Sequence, residues 1–133
     1  MHTAPYFTAF AFMIVVLALR VVRLRRRHKV SLGDGGVPDL ERAMRVFGNC
    51  VEYVPIGLIL LVCLEFVQAP VWYMHLAGMT LLMGRTLHAM GLGRANGPSA
   101  GRVAGMILTF ASLLISGIGI TLFSFWTAHA FDR

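Results

Sequence analysis

Four long apolar segments fill most of this 133-residue chain and constrain its fold more than any other feature. They run from about residues 5 to 22, 39 to 67, 71 to 92 and 102 to 128. A helix needs roughly 20 apolar residues to cross the hydrocarbon core of a bilayer. With 57% hydrophobic residues and a mean hydropathy of +0.72, the sequence predicts one all-α domain, residues 1–133, that forms a four-helix transmembrane bundle.

The breaks between these segments contain residues that end helices. Residues 31–38, SLGDGGVP, are rich in Gly and Pro, and Asp39 offers an N-cap for the second helix. Residues 68–70 predict a tight connection, and residues 93–101, GRANGPSAG, predict a second loop. The basic run at residues 23–29 is expected to follow the end of the first helix and to anchor it at the membrane surface.

The formal charge of +6 is distributed as expected for a membrane protein. If the loops alternate sides, every Lys and Arg except Arg133 falls on one side of the membrane. Because Lys and Arg in short loops favour the cytoplasmic side, both long loops are predicted to be cytoplasmic and both termini to lie opposite. The basic residues flank apolar segments instead of covering a soluble fold, which argues against a nucleic-acid partner and for the lipid bilayer.

The polar residues that suggest chemistry lie at the start of the second helix. Arg45, Asn49 and Glu52 follow one another at i, i+4 and i+7, so they share one helical face. Glu52 precedes a long apolar run, and an ionisable residue inside a membrane segment is a functional-site hypothesis by default. The three side chains could form a cleft for a small zwitterionic ligand, or Arg45 and Glu52 could pair and join helices, within one chain or across a subunit interface.

Two further groups lie near the same membrane face. Arg85 and His88, at i and i+3, form a second polar stripe, and Arg102 opens the fourth segment. A fixed positive charge beside a helix N-terminus can stabilise an anion such as a thiolate. The alternative for Arg85, Arg94 and Arg102 is that each is only a headgroup anchor.

The sequence does not contain the usual motifs of several enzyme classes. Cys50 and Cys63 are about 20 Å apart if they share one helix, too far for a disulfide. His75 and His129 have no second ligand at metal-binding spacing, so no metal site is predicted. A glycine-rich phosphate loop and an HExxH motif are also absent from the sequence.

The pattern Glu-Arg-x-x-Arg-x-x-x-Asn-x-x-Glu-Tyr-x-Pro, from Glu41 to Pro55, resembles the helix-two signature of the MAPEG family, the membrane-associated proteins in eicosanoid and glutathione metabolism. The Arg-x-x-His of Arg85 to His88 and the order of four helices fit as well. The resemblance is to bacterial members that are similar to microsomal glutathione transferases.

This resemblance implies a homotrimer in a bacterial inner membrane, with glutathione bound between subunits on the cytoplasmic side. The implied activity is that of a microsomal-type glutathione S-transferase or peroxidase, acting on lipophilic electrophiles or hydroperoxides. Arg102 would stabilise the thiolate as the catalytic residue. The residues implied to contact glutathione are Arg45, Asn49, Glu52, Tyr53 and His88.

Departures from the family pattern leave other functions open. Leu92 stands where a Tyr often lies on the glutathione site, and Phe47 and Gly48 replace polar or basic residues. These differences favour the alternative of a non-catalytic lipid-binding or scaffold protein of the same fold. A further alternative is a small multidrug-type exporter that uses Glu52 as a proton and cation site, although such exporters place that acid in the first helix.

Overall fold

The computed structural model describes residues 1–94 and 99–131, and all regular structure in these ranges is helical. The helices are α1 (Ala4–His28), α2 (Pro38–Phe66), α3 (Val71–Arg94) and α4 (Ala100–Phe131). The all-α prediction is therefore confirmed.

The first two helices run antiparallel. At one end, the Thr3 hydroxyl donates to a carboxylate oxygen of Glu65 at 2.5 Å. At the other end, the Arg25 guanidinium lies 3.4 Å from the sulfur of Met44. We call this second end the basic end, because α1 and α3 finish there, α2 and α4 begin there, and most Lys and Arg residues lie near it.

The last two helices also run antiparallel and stay in contact along much of their length. Away from the basic end, the Tyr73 hydroxyl donates to the carbonyl of Ile115 at 2.7 Å. At the basic end, the Ser99 hydroxyl donates to the carbonyl of Gly91 at 3.0 Å. α3 therefore runs beside α4 from the N-terminal end of α4 to Ile115.

Several helix ends differ from the sequence-based prediction: α3 ends at Arg94 instead of about Leu92, and α4 extends from Ala100 to Phe131 instead of from Arg102 to about Ala128. α1 continues past Val22 through the basic run to His28, since Arg is a good helix former and cations in the last turn complement the helix dipole. The proposed capping role of Asp39 is wrong. α2 begins at Pro38, whose fixed φ and missing N–H suit the first helical position. Asp39 instead lies in the first turn and pairs with Arg42.

Three of the described helices, α1, α2 and α4 as far as Thr127, are long and apolar enough to cross a membrane. This identifies the chain as an integral multi-pass membrane protein. α3 has sufficient length, at 24 residues, but is less apolar because it contains His75, Arg85 and His88. Hydropathy thus supports three of the four predicted crossings directly.

The seam between α3 and α4 depends on glycines that allow the backbones to approach closely. A Cβ added at Gly105 would lie 2.4 Å from the backbone nitrogen of His88, and one at Gly84 would lie 2.8 Å from that of Thr109. Both contacts are with backbone atoms, which cannot rotate away as a side chain can. Small residues at such contacts are common where membrane helices pack closely.

We predict that Gly105→Ala lowers the free energy of unfolding by about 1 to 3 kcal/mol, because the added methyl overpacks the seam. The matched control is Gly117→Ala on the same helix, where an added Cβ meets nothing within 4 Å. That variant should gain up to about 1 kcal/mol from helix propensity. Unfolding of both variants in detergent micelles measures the difference, and equal stabilities would contradict the described seam.

Candidate functional site

An open groove of about 930 Å³ lies at the basic end. Its walls come from α2, α3, α4 and the loop before α2, and it contains both signs of charge. The lining residues are Asp34, Pro38, Glu41, Arg42, Met44, Arg45, Gly48, Asn49, Glu52, His88, Leu92 and Arg102.

The groove brings together predicted site residues from three different helices. Those that line it are Arg45, Asn49, Glu52, His88 and Arg102. Tyr53 is not among the lining residues. Its ring centroid lies 5.9 Å from that of Phe110 on α4 and 5.4 Å from the guanidinium carbon of Arg85, so Tyr53 packs between helices.

Within one chain, the charges along α2 do not form the Arg45–Glu52 pair considered above. The Arg45 Nε donates to Glu41 at 3.0 Å, one turn back, and both side chains are well exposed. Arg45 and Glu52 form no ion pair in the described chain. Glu52 is exposed at the groove, and within residues 1–94 and 99–131 its carboxylate accepts no hydrogen bond. It is therefore available to a ligand or to a neighbouring chain.

Arg85 is the site residue whose role the sequence did not reveal. It was considered a possible headgroup anchor, but only 1% of it is exposed. One of its terminal nitrogens, Nη2, donates to Asn49 Oδ1 at 2.6 Å and lies 3.3 Å from His88 Nδ1. The other, Nη1, donates to the Thr109 hydroxyl at 3.4 Å. Arg85 thus joins α2, α3 and α4 behind the groove.

The charge of Arg85 is compensated in an unusual way. Among the described residues no carboxylate lies within ion-pair distance of it, and its Nε has no hydrogen-bond partner. Neutral acceptors and the face of Tyr53 are its immediate surroundings. The spacing of Arg85 and His88 showed that they share a face, but the bond to Asn49 crosses between helices and leaves no sequence signal.

The start of α4 forms another wall of the groove. The Ser99 hydroxyl accepts a hydrogen bond from the Arg102 backbone N–H at 3.3 Å, as an N-cap does. The Arg102 side chain is exposed and lines the groove. Its charge and the positive end of the α4 dipole therefore lie together, which favours an anion nearby.

Two departures from the family pattern line the groove, Leu92 on α3 and Gly48 on α2. Leu92 lines the groove and is 8% exposed, so it presents an apolar surface. An added Cβ at Gly48 would meet no atom within 4 Å, so the groove is open there.

The two cysteines form no disulfide: Cys50 is buried and Cys63 is partly buried. In the described ranges no three His, Cys, Asp or Glu residues form a group that could hold a metal ion.

Comparison with known proteins extends the similarity over most of the chain. The model of the MAPEG family matches residues 3–122. The chain is 36% identical over 119 residues to the inner membrane protein YecN of Escherichia coli K12. The aligned region covers 85% of this chain and 91% of YecN. YecN of Escherichia coli O6:H1 matches to the same extent.

We predict that removing the hydrogen-bond acceptor of buried Arg85 lowers the free energy of unfolding more than removing the acceptor of exposed Arg45. Asn49→Ala should lower the free energy of unfolding by about 1.5 to 3 kcal/mol, since Arg85 loses its shortest hydrogen bond. Glu41→Ala, which frees exposed Arg45, should change it by no more than about 0.5 kcal/mol. Denaturant titrations in detergent test the pair; similar losses would contradict the buried network.

Proposed function

The chain belongs to the MAPEG family, and on that basis we propose that it binds glutathione in the groove at the basic end and uses it as a transferase or peroxidase. The observation that supports this most strongly is the convergence of Arg45, Glu52 and Arg102 on one groove. In this proposal the protein resides in a bacterial inner membrane, as the inner membrane protein YecN does.

The charges of the groove match those of a zwitterionic peptide. Glutathione has two carboxylates, one ammonium group and one thiol. The Arg45 guanidinium would hold a carboxylate through charge-assisted hydrogen bonds, exchanging its exposed bond with Glu41. Glu52, which has no hydrogen-bond partner in the described chain, would accept hydrogen bonds from the ammonium group. The two charged ends of the ligand would then lie along α2.

Activation of the thiol requires little energy. A thiol with a pKa of about 8.5 is mostly protonated at neutral pH, and each unit by which its pKa falls needs about 1.4 kcal/mol of differential stabilisation. Arg102 and the α4 N-terminus can supply this at the groove. The thiolate would then attack an electrophilic carbon, forming a carbon–sulfur bond as a halide leaves.

We further propose that α3 is a fourth crossing and that the chain forms a homotrimer. α3 runs beside α4 from Gly91 to Tyr73, and its 24 residues are enough to cross the hydrocarbon core. The termini then lie opposite the basic end, and the positive-inside rule places the groove on the cytoplasmic side. Glu52 is exposed beside an apolar run and has no ion-pair partner among the described residues, which is costly in lipid, and a neighbouring subunit would cover it.

A turnover assay tests the enzymatic proposal. Purified protein in detergent is incubated with glutathione and either a chloronitrobenzene-type electrophile or an organic hydroperoxide, both lipophilic enough to enter laterally from the bilayer. Conjugate formation or hydroperoxide reduction above the uncatalysed rate is the expected result. Absence of turnover with every substrate of both classes would overturn the enzymatic proposal.

Leu92 and Gly48 favour a second candidate, a non-catalytic lipid-binding or scaffold protein. Leu92 gives the groove an apolar wall, and the space at Gly48 leaves it open. This candidate predicts that phospholipid co-purifies with the protein and that glutathione neither displaces it nor is turned over. Competition between glutathione and lipid for the groove would support the first proposal.

We predict that Glu52→Gln weakens glutathione binding by about 1.5 to 3 kcal/mol, because a hydrogen bond between charged groups is lost. Isothermal titration calorimetry in detergent measures the change. Glu65→Gln is the matched control, since Glu65 lies at the opposite end of α2, where it accepts hydrogen bonds from the N-terminal residues. If Glu52→Gln and Glu65→Gln bind equally well, the Glu52 carboxylate is not a ligand contact.

We predict that Arg102→Ala raises the pKa of the bound thiol by about one unit, with a smaller loss of affinity, since about 1.4 kcal/mol of thiolate stabilisation disappears. Ultraviolet absorbance of the bound thiolate across pH follows the change. Arg102→Lys retains the positive charge and should recover most of the shift. A pKa that is the same in the wild type and in Arg102→Ala would remove Arg102 from the mechanism.

A further inference from the structure

We propose that Arg85 is a positioning residue that sets the hydrogen-bond polarity of the groove. It fixes Asn49 and His88 so that both offer donors, and this wall therefore selects a ligand with an acceptor oxygen, a carboxylate or a carbonyl. The proposal deepens the function proposed above and relies on it only for the identity of the ligand.

The Asn49 amide is oriented by its bond to Arg85. A guanidinium has five donors and no acceptor, so the Asn49 atom 2.6 Å from Nη2 is the carbonyl oxygen Oδ1. The reverse orientation would place two N–H donors against each other. The amide NH₂ group of Asn49 is left for other partners, and Asn49 lines the groove. Asn49 therefore presents donors there.

The same argument sets the tautomer of His88. Its Nδ1 lies 3.3 Å from Arg85 Nη2, and because the guanidinium only donates, Nδ1 accepts. The ring proton is then on Nε2, so the remaining polar group of His88 is an N–H donor. His88 is 3% exposed and lines the groove. It therefore suits hydrogen bonding to a ligand oxygen and not removal of a proton through Nδ1.

Arg85 itself cannot easily change orientation. The Thr109 hydroxyl donates to the carbonyl of Gly105 at 2.7 Å, which leaves its oxygen to accept from Arg85 Nη1. The sulfur of Met106 lies 3.9 Å from the same nitrogen. The ring of Tyr53 flanks the guanidinium. Contacts with α2 and α4 thus hold Arg85 in the position that determines the two groove residues.

These groups set the orientation in which a ligand would bind in the groove. Asn49 and His88 offer donors and Arg102 a positive charge, so the groove bounded by α3 and α4 favours an anionic or carbonyl oxygen. Glu52 on α2 favours a cationic group. A zwitterionic peptide would place its ammonium group toward Glu52 and an oxygen of a carboxylate or peptide bond against Asn49 and His88.

Nitrogen NMR of the wild-type protein tests the orientation without any ligand. Protein labelled with [¹⁵N]histidine in detergent is examined near neutral pH, and the His88 signals are assigned by their loss in His88→Gln. The expected result is a ring with its proton on Nε2. A proton on Nδ1, or on both nitrogens, would overturn the proposal, whatever the ligand of the groove is.

Asn49→Asp tests whether the groove selects ligands that carry an acceptor oxygen. Aspartate still gives Arg85 an acceptor but offers the groove no donor. We expect a thermal midpoint at least equal to that of the wild type and a Kd for glutathione raised about tenfold or more. Unchanged affinity would show that Asn49 serves only as a partner of Arg85. A lower midpoint would contradict the assigned Asn49 orientation.

The experiments distinguish a failure of the proposed function from a failure of the positioning role of Arg85. If the wild type binds no glutathione, the proposed function fails, while the His88 tautomer still decides whether Arg85 sets the polarity of the groove. If the wild type binds glutathione but His88 carries its proton on Nδ1, the function stands and the positioning role of Arg85 is wrong.

Discussion

A guanidinium buried between three helices holds the basic end of this bundle in one arrangement. Arg85 contacts Asn49 on α2, His88 on its own helix and Thr109 on α4, and it is 1% exposed. Because a buried charge without partners is costly, a shift of α2 or α4 away from Arg85 would carry a large penalty. In the described chain its hydrogen-bond acceptors are the neutral groups of Asn49, His88 and Thr109 and not a carboxylate.

The second constraint is the close approach of α3 and α4. Gly105 lies against the backbone at His88, and Gly91 lies against the start of α4 at Arg102. Two of the groove residues are therefore positioned by backbone contacts between rigid elements. By contrast, Arg45 and Glu52 project from an exposed face of α2. The groove combines a fixed wall that offers donors and positive charge with an open wall that a ligand or a second subunit can complete.

Much of this arrangement could be predicted from sequence, for identifiable reasons. Hydropathy and loop composition predicted the helices, and the spacing of Arg45, Asn49 and Glu52 predicted residues that line one groove. Pairings between helices could not be predicted, because spacing reports a shared face but not the neighbour of that face. For this reason the bond from Arg85 to Asn49 was missed, and the partner of Arg45 within the chain is Glu41 and not Glu52. The position of Tyr53, between Arg85 and Phe110, was missed in the same way.

The central claim is that the groove at the basic end binds glutathione and stabilises its thiolate. Titration of detergent-purified wild-type protein with glutathione near neutral pH, followed by thiolate absorbance at about 240 nm, tests it most directly. The account predicts a saturable absorbance increase at a pH where free glutathione is mostly protonated. An increase no larger than that of glutathione alone, at every concentration, would contradict it.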